Sequence, residues 1–397
     1  MSASARPSAR AQPTATLRVA GVTGTNGKTT TSYLLRGILE GCGHPTGMLG
    51  TVESVVGGVR TPTVRTTPES LELQRTFRAM LDAGDTHCAM EVSSHALALG
   101  RADAIHWAVV GFTNLSQDHL DFHADMEEYF RAKRSLLVAA GDAPKVVIAD
   151  DAHGRRLLED FPDAEGYGLA AEAAHRATDV VAEADGTAFA LEGTRFRSPL
   201  HGDFNVHNAL VAIGCARALG LADADIARAL AAVEPPPGRL QAVDAGQPFR
   251  VFVDYAHTPD GLVSVLDGVR DVRGSDDARV IAVFGAGGDR DRTKRPHMGA
   301  AGAEHADLVV LTSDNPRSED PEAILAEVAA GAPDAERIVD RRAAIARAVA
   351  LARPGDVVVI AGKGHEQGQE LADGVKVPFD DVTVAREALV AAQGSPA

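Results

Sequence analysis

Along the chain, short apolar runs rich in β-branched residues alternate with longer segments whose apolar positions recur at helical spacing. In the first half, LRVAGV, HCAMEV, HWAVVGF and KVVIA read as buried strands. In the second half, FRVFVDY, ARVIAVFG, ADLVVLT and DVVVIAG read the same way. Helix-patterned stretches lie between most of them, among them SYLLRGILEG after the first strand and EEYFRAKRSLL at Glu127 to Leu137. Strand, polar turn and helix in repeated succession predict an α/β fold with mostly parallel sheets. A helical run ending in DADIARALAAV stops at VEPPPGRLQ, where Pro235 to Pro237 break a helix and stiffen the connection to Gly238. The expected organisation is a disordered tail at 1–16, a central domain at 17–237 and a C-terminal domain at 238–397. No internal repeat of fixed period stands out.

A chain of 397 residues exceeds one ordinary hydrophobic core, which agrees with two domains. The formal net charge of −16 argues against nucleic acid as a partner. It also means that an anionic substrate must be held by local devices: backbone N–H groups, placed Arg or Lys, and metal ions. No apolar run spans a bilayer, so membrane insertion is not expected. The opening MSASARPSARAQPTAT has no periodicity and reads as a disordered tail. Its lack of acidic residues also suits a transit peptide, whereas a secretory signal would need an apolar core that is absent. Cys42, Cys88 and Cys215 form neither a metal pattern nor a disulfide framework, which suits a reducing cytoplasm.

In open α/β sheets, ligands gather beyond the carboxyl ends of the strands, so the residues there carry the chemistry. After the first strand stands TGTNGKT, Thr23 to Thr29. The strict phosphate-loop spacing fails, because Val22 occupies the position of its first glycine. The physics survives: Gly24 and Gly27 let the backbone aim N–H groups inward, Lys28 brings charge to phosphates, and the Thr29 hydroxyl suits Mg2+ at a helix N-terminus. Glu91 ends a buried run in EVSSHALALGR, where a carboxylate is costly unless paired or metal-bound; an exposed strand end is the alternative. In FTNLSQDHLDFH, His119 lies among Asp118, Asp121 and His123. That set suits Mg2+ or Mn2+ better than zinc, with a solvated loop as the alternative for Asp121 and His123. Lys133 by itself reads as an ordinary surface lysine. KVVIADD has the look of a motor ATPase's metal-binding strand, with Asp150 and Asp151 at its end.

In the second half, DYAHTPDGL, GAGGDRDRTKRP, TSDNPRSEDP and AGKGHEQGQE each follow a strand. Asn315-Pro316 and Gly287-Gly288 suit plain turns. Arg317 suits two-pronged capture of a carboxylate, and Glu366 suits an ammonium.

Taken in order, TGTNGKTT, EVSSHAL, FTNLSQDHLDFH, DYAHTPD, DNPRSEDP and GKGHE resemble the Mur ligases of peptidoglycan synthesis, across nearly all of the chain after the tail. The resemblance implies a central phosphate-loop ATPase domain and a Rossmann-like C-terminal domain. It implies ATP-dependent amide ligation in the cytoplasm through an acyl phosphate. Within the family it is nearest the branch joining meso-diaminopimelate to the D-Glu carboxylate of a UDP-N-acetylmuramoyl-L-Ala-D-Glu acceptor. Gly24, Thr25, Asn26, Gly27, Lys28, Thr29 and Thr30 would bind ATP, with Asn205 and Asn208 near the adenine and Arg239, Asp254 and His257 contributed by the C-terminal domain. Thr29, Glu91, His119 and Lys133, the last as a CO2-derived carbamate, would serve two Mg2+ ions; Lys28, Glu91, His119 and Lys133 would carry catalysis. Thr66, Thr67, Ser93 and Arg101 would bind the acceptor. Asp314, Asn315, Arg317, Gly362 and Glu366 would bind the amino acid, with Arg317 on the distal carboxylate that L-lysine lacks. Leu99 and Gln241 differ from residues common at those places.

The family carries a uridine-nucleotide-binding domain ahead of the phosphate loop, and here only a short tail precedes it. A truncated gene, a separate chain supplying that domain, and an acceptor without UDP all stay open. So do a ligase acting on another γ-carboxylate, a mechanical or regulatory ATPase, and a nucleotide binder without catalysis.

Overall fold

The computed structural model describes residues 12–183 and 185–394. The chain divides into two units, one holding residues up to Ser116, Phe122–Pro199 and Asp203–Pro235, the other Gln117–Asp121, Leu200–Gly202 and everything from Pro236 on. Of the expected tail at 1–16, residues 1–11 lie outside the described residues. Pro13–Ala15 form a short turn whose buried Thr14 hydroxyl accepts from the His106 amide at 3.1 Å.

The first unit is built on an 11-stranded sheet. Its middle is parallel: Arg18–Thr23 lies between His87–Glu91 and Trp107–Phe112, and Lys145–Ile148 follows on the far side of Trp107–Phe112. Those strands are the apolar runs read from the sequence. His87–Glu91 is buried at every residue, as befits a parallel strand covered on both faces. Phe77, Met80, Tyr129, Phe130, Leu136 and Leu137 from two helices pack with strand residues such as Met90, Val110 and Phe112.

The flanks of this sheet are antiparallel, which the apolar pattern did not reveal. Thr46–Leu49, Glu53–Val56 and Val59–Pro62 zigzag on one side. His175–Glu183, Gly186–Leu191 and Thr194–Ser198 do so on the other. Val59–Pro62 is exposed throughout and His175–Glu183 largely so, and strands that bury neither face leave no alternation to read.

The second unit has a six-stranded sheet ordered Gln241–Ala242, Arg250–Asp254, Val357–Ala361, Val280–Phe284, Leu308–Leu311, Glu336–Arg337. All its neighbours are parallel except the first pair. Val253, Ile281, Val283, Val358 and Ile360 form its core with Ala344, Ile345 and Leu389 from two helices. A two-stranded ribbon, Gly368–Glu370 with Lys376–Pro378, follows the last parallel strand.

Polar residues at strand ends start several helices. Asp125 accepts from the Glu128 amide at the head of Met126–Ala139, Ser93 from Ala96, and Thr258 from Gly261 ahead of Pro259. Asp151 caps Ala152–Asp160 in the same way and also accepts from the Leu115 amide at 3.2 Å. Asp150 accepts from the Leu169 and Ala170 amides at 2.7 and 3.0 Å and from His207. The two aspartates that looked like a motor ATPase's metal ligands thus shape turns.

Candidate nucleotide and amino-acid sites

The turn from Arg18–Thr23 into the helix Lys28–Gly41 has the backbone geometry that suits a phosphate. Gly24 and Gly27 have φ of +152° and +86°, where a side chain would be strained. A Cβ on Gly27 would also lie 2.1 Å from Asn208 Oδ1. Asn114 Oδ1 accepts from the Asn26 amide at 2.9 Å, and the Thr113 hydroxyl donates to the Asn26 carbonyl at 2.6 Å. Thr25 bonds Tyr129 through their hydroxyls at 3.1 Å, and its hydroxyl accepts from the Ser116 amide at 3.0 Å. Lys28 folds back onto the loop, its ammonium 2.8 Å from the Gly24 and Thr25 carbonyls. Thr30 is buried on the first turn of the helix. Asn208 donates to Asn205 Oδ1 at 3.0 Å, so this buried pair packs directly against the loop.

Glu91, 1% exposed, is the hub of this unit. Its Oε2 accepts from the Thr29 hydroxyl at 3.0 Å and from the Thr51 hydroxyl at 2.9 Å, and its Oε1 from the Thr51 amide at 2.7 Å. Thr51 and Thr66 touch through their hydroxyls at 3.0 Å. The Glu91 carbonyl accepts from the Thr67 hydroxyl at 2.9 Å, and that hydroxyl accepts from the Ser93 amide at 3.1 Å. Arg101 donates to the Thr67 carbonyl at 3.4 Å and pairs with Glu69 at 2.9 Å. Of the residues expected for the nucleotide, Thr29 bonds the Glu91 carboxylate directly; of those expected for the acceptor, Thr66 reaches it through Thr51 and Thr67 bonds the Glu91 backbone carbonyl. Thr51 was missed from the sequence; its position after the short strand Thr46–Leu49 was the available signal.

Lys133 is not a surface lysine. It is 1% exposed, donates to the Gly24 carbonyl at 2.7 Å, and lies 4.4 Å from the centre of the Tyr129 ring. It sits on the buried face of Met126–Ala139 with Tyr129, Phe130, Leu136 and Leu137.

The donor set suits a divalent cation. Glu91 is a buried carboxylate that accepts from the neutral donors of Thr29 and Thr51, and Thr29 supplies a second hard oxygen beside it. Among the described residues no three His, Cys, Asp or Glu side chains form a ready metal cluster. A cation here would rest on Glu91, Thr29, phosphate oxygens and water, as Mg2+ commonly does at nucleotide sites.

His119 belongs to the segment Gln117–Asp121, grouped with the second unit. Its φ is +56° and its amide donates to Asp118 Oδ1 at 2.9 Å. Asp118 lies 3.6 Å from Lys294 and 3.8 Å from His257. Burial pushes the Asp118 carboxyl up, but Lys294, His257 and His119 outweigh it and hold it well below the usual carboxylate range. Burial, and then the Lys294 charge, lower the His257 imidazole. Asp254 accepts from the Leu240 and Ala256 amides at 2.6 and 2.7 Å; burial still raises its carboxyl against the pull of Arg239. The Arg239 guanidinium lies 4.5 Å from the centre of the Tyr255 ring.

The expected amino-acid residues come together just after two strands, Leu308–Leu311 and Val357–Ala361, that lie on either side of Val280–Phe284 in the sheet. Asn315 Nδ2 donates to Glu366 Oε2 at 2.9 Å. Arg317, with φ of +51°, is held by Glu370 Oε2 at 3.1 Å and the Gly288 carbonyl at 2.7 Å. Gly362, at φ +117°, leaves room for Asp314, whose Oδ2 would be 3.2 Å from a Cβ there. Lys363, fully buried among these residues, was not singled out in the sequence although it stands inside GKGHE.

A glycine-rich strand-to-helix loop beside a buried carboxylate in one unit, and a cluster of Asp314, Asn315, Lys363 and Glu366 in the other, fit a nucleotide-using α/β enzyme. Comparison with known proteins is specific. Residues 22–216 match the Mur ligase middle domain and residues 238–364 the Mur ligase glutamate ligase domain. A relative from Solibacter usitatus, named UDP-N-acetylmuramoyl-L-alanyl-D-glutamate–2,6-diaminopimelate ligase, is 48% identical over 390 residues, covering 95% of this chain and 78% of its own length. A Streptomyces coelicolor protein of the same name is 50% identical over 393 residues, covering 94% of this chain and 76% of its own. A solved structure of a ligase of that name superposes with a TM-score of 0.66 at 36% identity, covering 96% of this chain and 79% of the other. The chain belongs to the Mur ligase family. Its members are ATP-dependent, ADP-forming amide ligases that use Mg2+. Among the described residues no helix is long and apolar enough to cross a membrane.

Proposed function

We propose that this protein joins meso-diaminopimelate to the D-Glu carboxylate of a UDP-N-acetylmuramoyl-L-Ala-D-Glu acceptor in the cytoplasm, at the expense of ATP. The functional domains would be 17–237 and 238–397. The relatives' shared name supports the substrates. The observation that carries the reaction type is the meeting of the loop's Thr29 and the Thr51–Thr66 pair on Glu91. It supports a reading in which the nucleotide's phosphates and an acceptor's carboxylate would both approach one buried group.

In the reaction, an acceptor carboxylate oxygen attacks the γ-phosphorus and ADP leaves, giving an acyl phosphate. The amine then attacks the acyl carbon, the tetrahedral adduct expels phosphate, and a proton is lost as the amide forms. The loop amides and Lys28 hold the phosphates and offset their charge. Thr66, Thr67, Ser93 and Arg101 would orient the acceptor. Glu91 and Thr29, with His119, would hold Mg2+ at two places, and the metal when bound would withdraw charge from the transferring phosphoryl group. Lys133 as a carbamate would add an anion beside the loop, and its remaining Nζ–H could keep the bond to Gly24. Asn205 and Asn208 would flank the adenine, with Arg239, Asp254 and His257 from the C-terminal domain. Asp314, Asn315, Gly362 and Glu366 would take the amino acid's ammonium end, and Arg317 its distal carboxylate.

Acceptor labelled with 18O in the D-Glu γ-carboxylate tests the route. An acyl phosphate transfers one labelled oxygen to the released phosphate; label confined to the amide and unlabelled phosphate contradict it.

A further inference from the structure

We propose that Lys363 is a positioning residue for the incoming amino acid, holding Asn315 and Glu366 in the geometry that receives its ammonium. This rests on the amino-acid assignment above. The Lys363 ammonium is fully buried. It donates to Asn315 Oδ1 at 2.8 Å and to Glu366 Oε2 at 3.0 Å, and its next neighbour, Asp314 Oδ1, is 3.6 Å away. One side chain thus links the strand end at Leu308–Leu311 to the one at Val357–Ala361.

The Asn315 amide has only one workable orientation. Its Oδ1 accepts from Lys363 and from the Glu370 amide at 2.9 Å, while its Nδ2 donates to Glu366. A flipped amide would set NH2 against an ammonium and a backbone N–H. Lys363 therefore selects the rotamer that keeps Asn315 bonded to Glu366.

Around it carboxylates outnumber cations. Asp381 is matched by Arg341 at 2.7 Å, with both groups fully buried, and Glu370 by Arg317. Asp314 and Glu366 have Lys363 as their ion-pair partner, with Arg341 acting on both from further off, so these four carboxylates face three cations. Asp314 Oδ1 is buried without a hydrogen-bond partner, on a residue 6% exposed. An acceptor in that condition calls for a donor, and a substrate ammonium supplies both N–H and charge. Arg341 steadies the same strand ends through the Ser313 and Ala361 carbonyls at 3.4 and 2.9 Å.

The test uses the full chain and a phosphate-release assay with saturating acceptor. KM for meso-diaminopimelate and for ATP is measured for the wild type, Lys363→Met, Glu366→Gln and the double variant. Lys363→Met should raise the amino-acid KM at least tenfold while the ATP KM stays within twofold. The double variant should be no more than threefold worse than the poorer single one, because the two act as a unit. An unchanged amino-acid KM, both KM values rising together, or additive effects would overturn the proposal. Should the methionine variant melt below the assay temperature, Lys363→Gln, which keeps an N–H donor, carries the same comparison. If the wild type ligates a different amino acid, the substrate assignment fails by itself, and the same variants run on that amino acid still decide the role of Lys363.

Discussion

Replacing Glu91 by Gln removes one charge and almost no volume. The carboxamide oxygen can still accept from the Thr51 amide, now 2.7 Å from Oε1. The new NH2 would face the Thr29 and Thr51 hydroxyls, 3.0 and 2.9 Å from Oε2, and both can turn to accept. With every partner satisfied, the stability cost should stay below about 1 kcal/mol, a change in Tm of roughly 4 °C or less. Metal-free protein should gain in relative terms, because a buried carboxylate with no cation beside it carries a desolvation cost that the amide escapes. Activity should respond very differently. Losing a preorganised charge at the phosphoryl group costs about 3–4 kcal/mol of transition-state stabilisation, roughly 10²- to 10³-fold in kcat/KM. Thermal melts with and without Mg·ADP, beside steady-state phosphate release, read both quantities. The variant should melt near the wild type, lose most of its stabilisation by Mg·ADP, and turn over at least 100-fold more slowly (on the order of the magnitude above). A variant within threefold of wild-type turnover would remove Glu91 from the nucleotide chemistry. Unfolding by several kcal/mol would refute the claim that the network can be re-satisfied.

Lys133→Ala should abolish ligation, and 13C-labelled bicarbonate should give a carbamate carbon signal in the wild type that the variant lacks; a fully active variant would remove Lys133 from the mechanism. Arg317→Lys should lower kcat/KM for meso-diaminopimelate about 10- to 100-fold, since lysine cannot keep the two-pronged geometry; an unchanged preference over L-lysine would refute the specificity argument. Burial, then the charges of His44 and Arg18, lower the His87 imidazole to about 4. Below its ordinary value near 6.5 the unfolded chain takes up the proton first, so His87 should cost the first unit roughly 3 kcal/mol of stability between pH 6.5 and 4; His87→Phe should flatten the Tm-versus-pH curve there, and an unchanged slope would refute the assignment.

Much of the fold could be read from the apolar runs because the parallel strands are buried on both faces and cannot be mistaken for loops. The flanking hairpins could not, since strands such as Val59–Pro62 are exposed and carry no alternation. Gly57-Gly58, between Glu53–Val56 and Val59–Pro62, was the one turn signal on that side. Among site residues, the phosphate loop was legible because its glycines, lysine and threonine have no other common use at a strand-to-helix turn. Lys133 was legible too, had its helical phase been weighed: it falls in register with Tyr129, Phe130, Leu136 and Leu137 on the buried face. Asp150 and Asp151 show the opposite difficulty. A carboxylate just after a strand has the same pattern whether it will bind metal or cap a helix, and only their partner amides separate the two. Lys363 lies outside any periodic element, between Gly362 and Gly364, so nothing local announced its burial.

The central claim is tested most directly by following phosphate release from Mg·ATP with UDP-N-acetylmuramoyl-L-Ala-D-Glu, with and without meso-diaminopimelate, and weighing the product. The account predicts a tripeptide product and stoichiometric phosphate only when ATP, acceptor and amino acid are all present. Steady phosphate release without acceptor or amino acid, and no new amide by mass, would contradict it.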